Sequence, residues 1–177
     1  VYRDHKTDQA RILDVWSGLH EGGLYGLAID LGSTTVATHL TDLTTGEVVA
    51  SAGVMNPQIR FGEDLMSRVS YSMMNPGGDR EMTRAVRVAI NTLAEDIAKD
   101  ADIDPSLIFE VVFVCNPVMH HLLLGIDPVE LGQAPFALAT SESVTLQAYD
   151  LDLTNIAKSA QIYVLPCIAG HVGADAA

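Results

Sequence analysis

The sequence has 177 residues, of which 48% are hydrophobic, and its formal net charge is −13 at pH 7. This length is enough for one sizeable hydrophobic core, so we expect one domain or little more. The negative charge disfavours nucleic acid and anionic lipid as partners, and no apolar run approaches the roughly 20 residues that cross a bilayer.

The N-terminal residues precede the regular part of the sequence. The start, "VYRDHKTDQAR", lacks the apolar segment of a secretory signal. Residues 11–16, "RILDVW", alternate like a short strand. A segment this short cannot form a hydrophobic core of its own. We therefore expect residues 1–23 to be the tail of a preceding region and residues 24–177 to form a separate unit.

Three predicted β-strands begin at Leu24, with the sequences "LYGLAIDL", "TTVATHLTDL" and "GEVVASAGV". The short turn at residues 32–34, "GST", joins the first two strands, and a turn containing Gly46 joins the second and third. This spacing predicts a three-stranded antiparallel meander at the start of the unit.

Two predicted helices follow the meander. In the first, at residues 61–74, Asp64 and Arg68 are four residues apart, which is typical of a solvated ion pair. The second, at residues 79–101, has the most regular helical pattern of the chain, with Asp79 as its predicted N-cap. Its apolar positions recur every three or four residues: Met82, Val86, Ile90, Leu93 and Ile97.

The second half of the chain alternates between apolar strands and helices. We predict a strand at residues 110–116, a short helix ended by Gly125, another strand at residues 161–170 and the start of a helix at residue 172. Residues 125–160 are irregular and indicate an inserted subdomain of short strands.

The order of elements, β-β-β-α-β-α-β-α, predicts one lobe of an α/β fold. The last predicted helix is cut short at residue 177, so we expect the chain to be part of a longer protein. Cys115 and Cys167 lie in apolar runs and lack the spacing of zinc or iron–sulfur ligands. We therefore expect two buried free thiols in a cytoplasmic protein.

The turn after the first strand carries a distinctive group of polar residues. Asp30 lies near the end of the strand, Gly32 lets the backbone approach a ligand, and Ser33, Thr34 and Thr35 offer hydroxyl and amide donors. A carboxylate can lie beside a phosphate when a cation lies between them, and Mg²⁺ accepts carboxylate, phosphate and water oxygens. These residues therefore predict a phosphate clamp in which Asp30 holds Mg²⁺ through water.

An ordinary β-turn is an equally good explanation of these residue types taken alone, because Asp, Ser and Thr side chains bond their own backbone in turns. The turn is neither a Walker A loop, since a lysine and a following helix are absent from the pattern, nor a G-x-G-x-x-G motif. The wider sequence decides between the two interpretations.

Several stretches taken together resemble one family. "GLAIDLGSTTVATHLTDLTTGEVV" is similar to the first phosphate motif of the actin, sugar-kinase and heat-shock-chaperone ATPase superfamily. Within it, "NPQIRFGEDLMSRVSY", "VCNPVMHHLLLGIDPVELGQAPF" and "VLPCIAGHVGADAA" resemble the ATP-dependent reductive activators of corrinoid iron–sulfur proteins and corrinoid methyltransferases. The resemblance covers residues 24–177 and implies a ribonuclease-H-like lobe, the first of two in the ATPase domain, with residues 1–23 as the tail of a preceding middle or linker region.

The resemblance also implies roles for single residues. Asp30 corresponds to a Mg²⁺-linked acid, Gly173 to a phosphate-binding glycine, and Asp175 to a catalytic residue that orients water or links to the metal. The other phosphate-binding residues match the first motif: Gly32, Ser33, Thr34 and Thr35. An aspartate in the first turn of a helix is also explained by the helix dipole, so the role of Asp175 is a hypothesis.

For the whole protein, the resemblance implies ATP and Mg²⁺ as cofactors, a [2Fe-2S] cluster upstream of this chain and a second lobe downstream. The activity would couple ATP hydrolysis to reduction of a corrinoid protein or corrinoid methyltransferase from Co(II) to Co(I). A cytoplasmic homodimer is compatible with this role. We expect the chain to be inactive alone, since half of the phosphate site would lie in the second lobe.

Two other functions stay open. A small-molecule kinase of the same superfamily would need an aspartate base beside its substrate, and residues 125–160 show no polar cluster of that kind. A scaffold that only binds a protein partner would not need Asp30 in the turn. The adjacent His120 and His121 diverge by about 100° on a helix, which favours packing or surface roles over shared metal ligation, and the role of His171 stays open.

Overall fold

The computed structural model describes residues 2–3, 10–12, 14–20, 22–170 and 172–176. The strands are, in chain order, β1 Tyr2–Arg3, β2 Ala10–Arg11, β3 Tyr25–Leu31, β4 Thr35–Asp42, β5 Val48–Met55, β6 Ile108–Cys115, β7 Val144–Gln147 and β8 Gln161–Val164. The α-helices are α1 Leu65–Met74, α2 Gly78–Asp100 and α3 Pro117–Leu124. No described helix is both long and apolar enough to span a membrane.

Six strands form one mixed sheet in the order β5-β4-β3-β6-β8-β7, which confirms the predicted α/β class. β3, β4 and β5 are antiparallel neighbours, as predicted for the meander and its turn at residues 32–34. β6 pairs parallel to β3, β8 pairs parallel to β6, and β7 is antiparallel to β8. Because neighbouring parallel strands end at the same edge, Leu31 at the end of β3 lies opposite Cys115 at the end of β6.

Helix α2 packs its apolar stripe into the core, and all five residues predicted for that stripe are buried. They belong to the same hydrophobic cluster as Val111 and Phe113 of the central strand β6. The predicted N-cap is wrong. Gly77, in the left-handed conformation at φ 86°, occupies that position, and Asp79 lies in the first turn, where its charge still favours the helix dipole.

Residues 125–160 contain β7 and two 3-10 helices, Val129–Gly132 and Ala148–Leu151. Leu131 and Leu151 from these two turns belong to the hydrophobic cluster that also contains the sheet residues. This region therefore shares the core of the lobe and does not build a separate one.

Two predicted elements are shorter in the structure than in the sequence pattern. The strand predicted at residues 161–170 ends at Val164. The helix predicted from residue 172 is a single 3-10 turn, Ala174–Ala176, preceded by an isolated bridge between Ala169 and Val172. Because Val172 pairs with Ala169 in this bridge, the helical turn begins only at Ala174.

Candidate functional site

Residues 32–34 turn the chain sharply between β3 and β4. A Cβ atom on Gly32 would lie 2.7 Å from the carbonyl oxygen of Thr35, which is closer than such atoms approach. The turn therefore requires glycine at this position. Ser33 is partly exposed, and Thr34 and Thr35 are exposed, so the four residues of the predicted first phosphate motif lie in this turn or directly after it, at the start of β4.

Each carbonyl of this turn is held by the protein. Nδ2 of Asn56 donates to the oxygen of Gly32 at 2.8 Å, the backbone N–H of Asn56 donates to Thr34 at 2.8 Å, and Nη2 of Arg68 donates to Ser33. In the described part of the chain, the N–H groups of Gly32, Ser33 and Thr34 have no acceptor. A run of available N–H groups in a tight turn is suited to binding an anion.

Arg68 is fully buried beneath the turn. Besides Ser33, its guanidinium donates to the carbonyl of Gly62 at 3.0 Å and lies 3.3 Å from Oε1 of Gln58 and 3.2 Å from the sulfur of Met119. Burial lowers the pKa of Arg68 to about 10, so the group stays charged at neutral pH. The predicted solvated ion pair is therefore wrong for Arg68.

Asp64 has a local role as the N-cap of α1. Its side chain accepts hydrogen bonds from the backbone N–H and the hydroxyl of Ser67, both at 2.7 Å. These bonds, the backbone one above all, lower the pKa of the Asp64 carboxyl. The cap fixes the start of the helix, and one turn later the helix directs Arg68 into the core.

Asn56 and Gln58 connect the turn to the helices. The Asn56 side chain accepts from the backbone N–H of Gln58 at 2.9 Å and lies 3.6 Å from the sulfur of Met119 in α3. Nε2 of Gln58 donates to the carbonyl of Met82 in α2 at 3.0 Å. Both side chains are fully buried. Sequence reasoning missed them, and the available signal was polar residues between the apolar β5 and α1.

Asp30 is exposed and lies at the edge of the sheet where β3 and β6 end, beside the turn at residues 32–34 and opposite Val114 of β6. Burial raises the pKa of the Cys115 thiol, and the charges of Cys167, Asp175 and Asp30 raise it further. The charges of both aspartates therefore reach the Cys115 thiol at the end of β6. Cys115 and Cys167 are buried free thiols, as predicted.

Gly173 packs directly onto the end of β6. A Cβ atom at this position would lie 2.2 Å from the carbonyl oxygen of Cys115 and 2.5 Å from Cα of Asn116. The backbone can pass this closely because glycine has no side chain. The structure thus brings Gly173 and Asp175 to the edge that carries Asp30 and the turn at residues 32–34, although they are more than 130 residues away in sequence.

His120 and His121 are both buried in α3. Nδ1 of His121 lies 2.8 Å from the carbonyl of Pro117, and its Nε2 accepts from the backbone N–H of Ala139 at 3.0 Å, which fixes a neutral tautomer. Neither ring nitrogen of His120 has a partner among the described residues. Both side chains are packed in the core, as the helical spacing favoured. His171 lies outside the described residues.

Among the described residues, no group of three or more His, Cys, Asp and Glu side chains could hold a metal ion. A cation at Asp30 would therefore need most of its ligands from bound phosphate and water. That ligand set is the one Mg²⁺ commonly has in nucleotide sites.

Comparison with known proteins agrees with the resemblance seen in the sequence. The chain is 32% identical over 166 residues to the corrinoid activation enzyme RamQ of Eubacterium limosum, covering 93% of this chain and 28% of that protein. A solved structure, a reductive activator for corrinoid, iron–sulfur protein, matches with a TM-score of 0.86 and 33% identity, covering 92% of this chain and 26% of that one.

The chain thus spans about a quarter of the length of these two relatives. The family model described as the RACo middle region matches residues 25–177, from the first residue of β3 onward. This match includes the whole six-stranded sheet, the turn at residues 32–34 and the segment around Gly173. The chain therefore belongs to the RACo middle region family.

Proposed function

We propose that the protein containing this chain uses ATP hydrolysis to drive the reductive activation of a corrinoid protein. Two observations from relatives support this proposal: a corrinoid activation enzyme and a reductive activator both match nearly the whole chain. Within that protein, this chain would supply one side of the nucleotide-phosphate site.

The turn at residues 32–34 is the observation that carries the proposal. Its three carbonyls accept hydrogen bonds from Asn56 and Arg68, and its N–H groups have no acceptor among the described residues. Because the turn is held from the protein side, its donors are arranged before a ligand arrives. Such an arrangement binds phosphate oxygens at little conformational cost.

Asp30 fits a Mg²⁺ site at this turn. It is an exposed carboxylate near the end of β3, and Mg²⁺ prefers oxygen ligands and retains several waters. Mg²⁺, when bound, would neutralise charge on the phosphates. Asp30 would hold the ion through water, and the hydroxyls of Ser33, Thr34 and Thr35 would donate to phosphate oxygens.

Gly173 and Asp175 would complete the site from the end of β6. Gly173 allows the backbone to pack on Cys115, and that contact sets where the following 3-10 turn places Asp175. A carboxylate in this place can accept a hydrogen bond from a water molecule and orient it toward a phosphate. We propose these roles for the two residues.

At the level of the whole protein, the proposal follows the resemblance. ATP would be hydrolysed to ADP and phosphate, and Co(II) in the corrinoid partner would take up one electron to become Co(I). The electron would pass through a [2Fe-2S] cluster elsewhere in the protein. A corrinoid methyltransferase as partner, a homodimeric assembly and a cytoplasmic location belong to the same proposal.

The test is steady-state ATP hydrolysis by the full protein, with and without a cobalamin-bearing partner. We expect the partner to stimulate hydrolysis and Asp30→Asn to lower the rate by about 10²-fold or more, since a metal-linked acid acts on charge in the transition state. Asp100→Asn, which changes an exposed carboxylate at the end of α2, is the matched control and should leave the rate unchanged.

Three results would contradict the proposal in different ways. Equal rates for Asp30→Asn and the Asp100→Asn control would remove the metal role of Asp30. Phosphate transfer to a sugar or polyol would favour a small-molecule kinase. Partner binding that ignores nucleotide, with no hydrolysis, would favour a scaffold.

A further inference from the structure

Positive charge is scarce in this chain, and much of it lies in one place. The sequence has ten Lys and Arg residues against 23 Asp and Glu. Arg80, Arg84 and Arg87 lie on α2 at spacings of four and three residues, which places them on one face of the helix. Arg60 lies in the adjacent 3-10 helix, Pro57–Phe61. Four of the ten basic residues therefore surround one stretch of α2.

Two open cavities flank this stretch of helix. The first, of about 360 Å³, is lined by the three α2 arginines together with Gly125 and Asp152. The second, of about 490 Å³, is lined by Arg60, Arg84 and residues of both helices. Arg84 and Val88 line both cavities. They form the ridge between the two cavities. We call the surface formed by Arg60, Arg80, Arg84 and Val88 the arginine face.

Most guanidinium groups of the arginine face have no hydrogen-bond or ion-pair partner among the described residues. Arg87 is committed to the protein, since it bonds the carbonyl of Leu123 and pairs with Asp152 at 2.8 Å. Arg80 and Arg84 are exposed and, among the residues that the structure describes, form neither a hydrogen bond nor an ion pair. Arg60 is exposed and lies 4.6 Å above the ring of Phe61. Three guanidinium groups are thus available to a ligand.

The carboxylates that line the two cavities are already engaged. Glu81 accepts a hydrogen bond from the hydroxyl of Tyr71 at 3.1 Å, and Asp152 pairs with Arg87. Neither carboxylate is bonded to Arg80 or Arg84. An incoming carboxylate would therefore meet guanidinium groups that have their full set of donors available, and Arg binds carboxylates in a bidentate fork.

The ridge of the arginine face is apolar. Val88 is 57% exposed there, and Ala85 and Ala89 line the second cavity beside it. A free anion gains nothing from such a ridge, whereas a protein segment buries apolar side chains on it. A nucleic acid carries phosphate charge along its whole length and would be repelled beyond the arginine face by a molecule of net charge −13, whereas a short acidic segment carries fewer charges and gains from the apolar ridge. Arginine beside exposed apolar surface is the usual composition of a protein interface.

We propose that the arginine face, formed by Arg60, Arg80, Arg84 and Val88, docks an acidic protein segment in which carboxylates are interspersed with apolar side chains. Carboxylates would bind Arg80 and Arg84, and an apolar side chain would cover Val88. This inference does not depend on nucleotide binding at the turn. The full protein could therefore fail the hydrolysis test and still dock such a segment, or the reverse.

The test measures binding of a fluorescein-labelled peptide of glutamates spaced by leucines to the full protein, by fluorescence anisotropy. We expect the double variant Arg80→Glu, Arg84→Glu to weaken binding by about tenfold or more, because two charge-assisted contacts become repulsive. The matched control is Lys99→Glu, Lys158→Glu, which makes the same change of net charge at exposed sites that line neither cavity. It should change affinity less than about twofold.

A second probe tests whether the glutamate charges of the peptide, and not its apolar side chains alone, cause the binding. The same peptide with glutamine in place of glutamate should bind much more weakly, and a single-stranded oligonucleotide should not compete. Equal binding of the glutamine peptide, equal weakening by both double variants, or competition by the oligonucleotide would each overturn the proposal. Unchanged thermal unfolding of the two double variants, whose substituted side chains are exposed, excludes misfolding as the cause.

Discussion

A buried guanidinium is tolerated only when its N–H groups are bonded, because the charge loses its hydration on entering the core. Arg68 meets this condition with acceptors from three separate segments: the turn, residues 58–62 and α3. The contact to Ser33 is the one that reaches the candidate site. Arg68 therefore acts as a positioning residue whose effect on a ligand passes through the backbone of the turn.

Substitution of Arg68 by Met should lower the free energy of unfolding by about 3 kcal/mol. The carbonyls of Ser33 and Gly62 would each lose a charged donor, and a buried unsatisfied group costs about 1–3 kcal/mol. Denaturant unfolding measures the change. Lys99→Met, at an exposed position, is the control, for which we expect a change within about 0.5 kcal/mol. Equal stability of the two variants would contradict the bracing role of Arg68.

At the scale of elements, the candidate site is made where three segments meet the end of β6. β3 brings Asp30 and the turn by parallel pairing, and α3 begins directly after β6 at Pro117. The segment around Gly173 closes against Cys115. The carboxyl edge of parallel strands is the usual place for ligands in α/β sheets, because loops from separate strands converge there.

Gly173→Ala should loosen this third segment. The added Cβ would meet the backbone of Cys115 and Asn116 at 2.2 and 2.5 Å, and backbone cannot yield as a side chain can. We expect faster hydrogen–deuterium exchange at the bridge between Ala169 and Val172, where the N–H of each residue donates to the carbonyl of the other at 3.0 Å.

Gly53→Ala is the matched control for this exchange measurement. A Cβ atom at Gly53 would come no closer than 3.5 Å to other atoms, which is ordinary contact, so exchange at the bridge should stay as in the original protein. Unchanged exchange in the Gly173→Ala protein as well would show that the segment does not depend on the close approach.

For the molecule as a whole, His120 couples stability to pH. Burial, with a smaller effect from His121, lowers the pKa of His120 to about 4, against about 6.5 in an unfolded chain. Above pH 6.5 the His120 side chain is neutral in both the folded and the unfolded state, so it causes no loss of stability there. As the pH falls from 6.5 to 4 the unfolded state binds a proton that the folded state does not, so stability drops by up to about 1.4 kcal/mol per pH unit.

Thermal unfolding followed from pH 7 to pH 4 checks this expectation. His120→Phe removes the titrating group and should flatten the fall in stability over that range. His121 has a pKa lowered by burial as well, so part of the slope should remain. A variant with the slope of the original protein would show that His120 does not cause it.

The sequence patterns predicted those parts of the molecule that depend on local periodicity. The apolar stripe of α2, the meander and the turn at residues 32–34 are all present. The prediction of Asp79 as the N-cap of α2 is wrong, because Gly77 occupies that position in the left-handed conformation and makes no side-chain hydrogen bond. Capping by backbone conformation leaves a weaker trace in sequence than a polar cap does.

The buried polar network could not be predicted in the same way. Arg68 follows Asp64 by four residues, a spacing that usually marks an exposed pair, and the burial of Arg68 depends on how α1 packs over the turn. Asn56 and Gln58 likewise acquire their partners from segments far away in sequence. The roles of Asp30, Gly173 and Asp175 stay predictions, and the structure adds their placement at one edge.

The sulfur of Met119 contacts both Arg68 and Asn56 and is closed to solvent. A dissolved peroxide can reach this thioether only when the packing beneath the turn opens, whereas Met55 and Met74 are each 73% exposed and can be oxidised directly. The ratio of sulfoxide at Met119 to sulfoxide at the exposed methionines therefore records how often the floor of the candidate site opens. Oxidation of Met119 is therefore a built-in measure of this opening, and a ligand that stabilises the turn should slow the formation of sulfoxide at Met119.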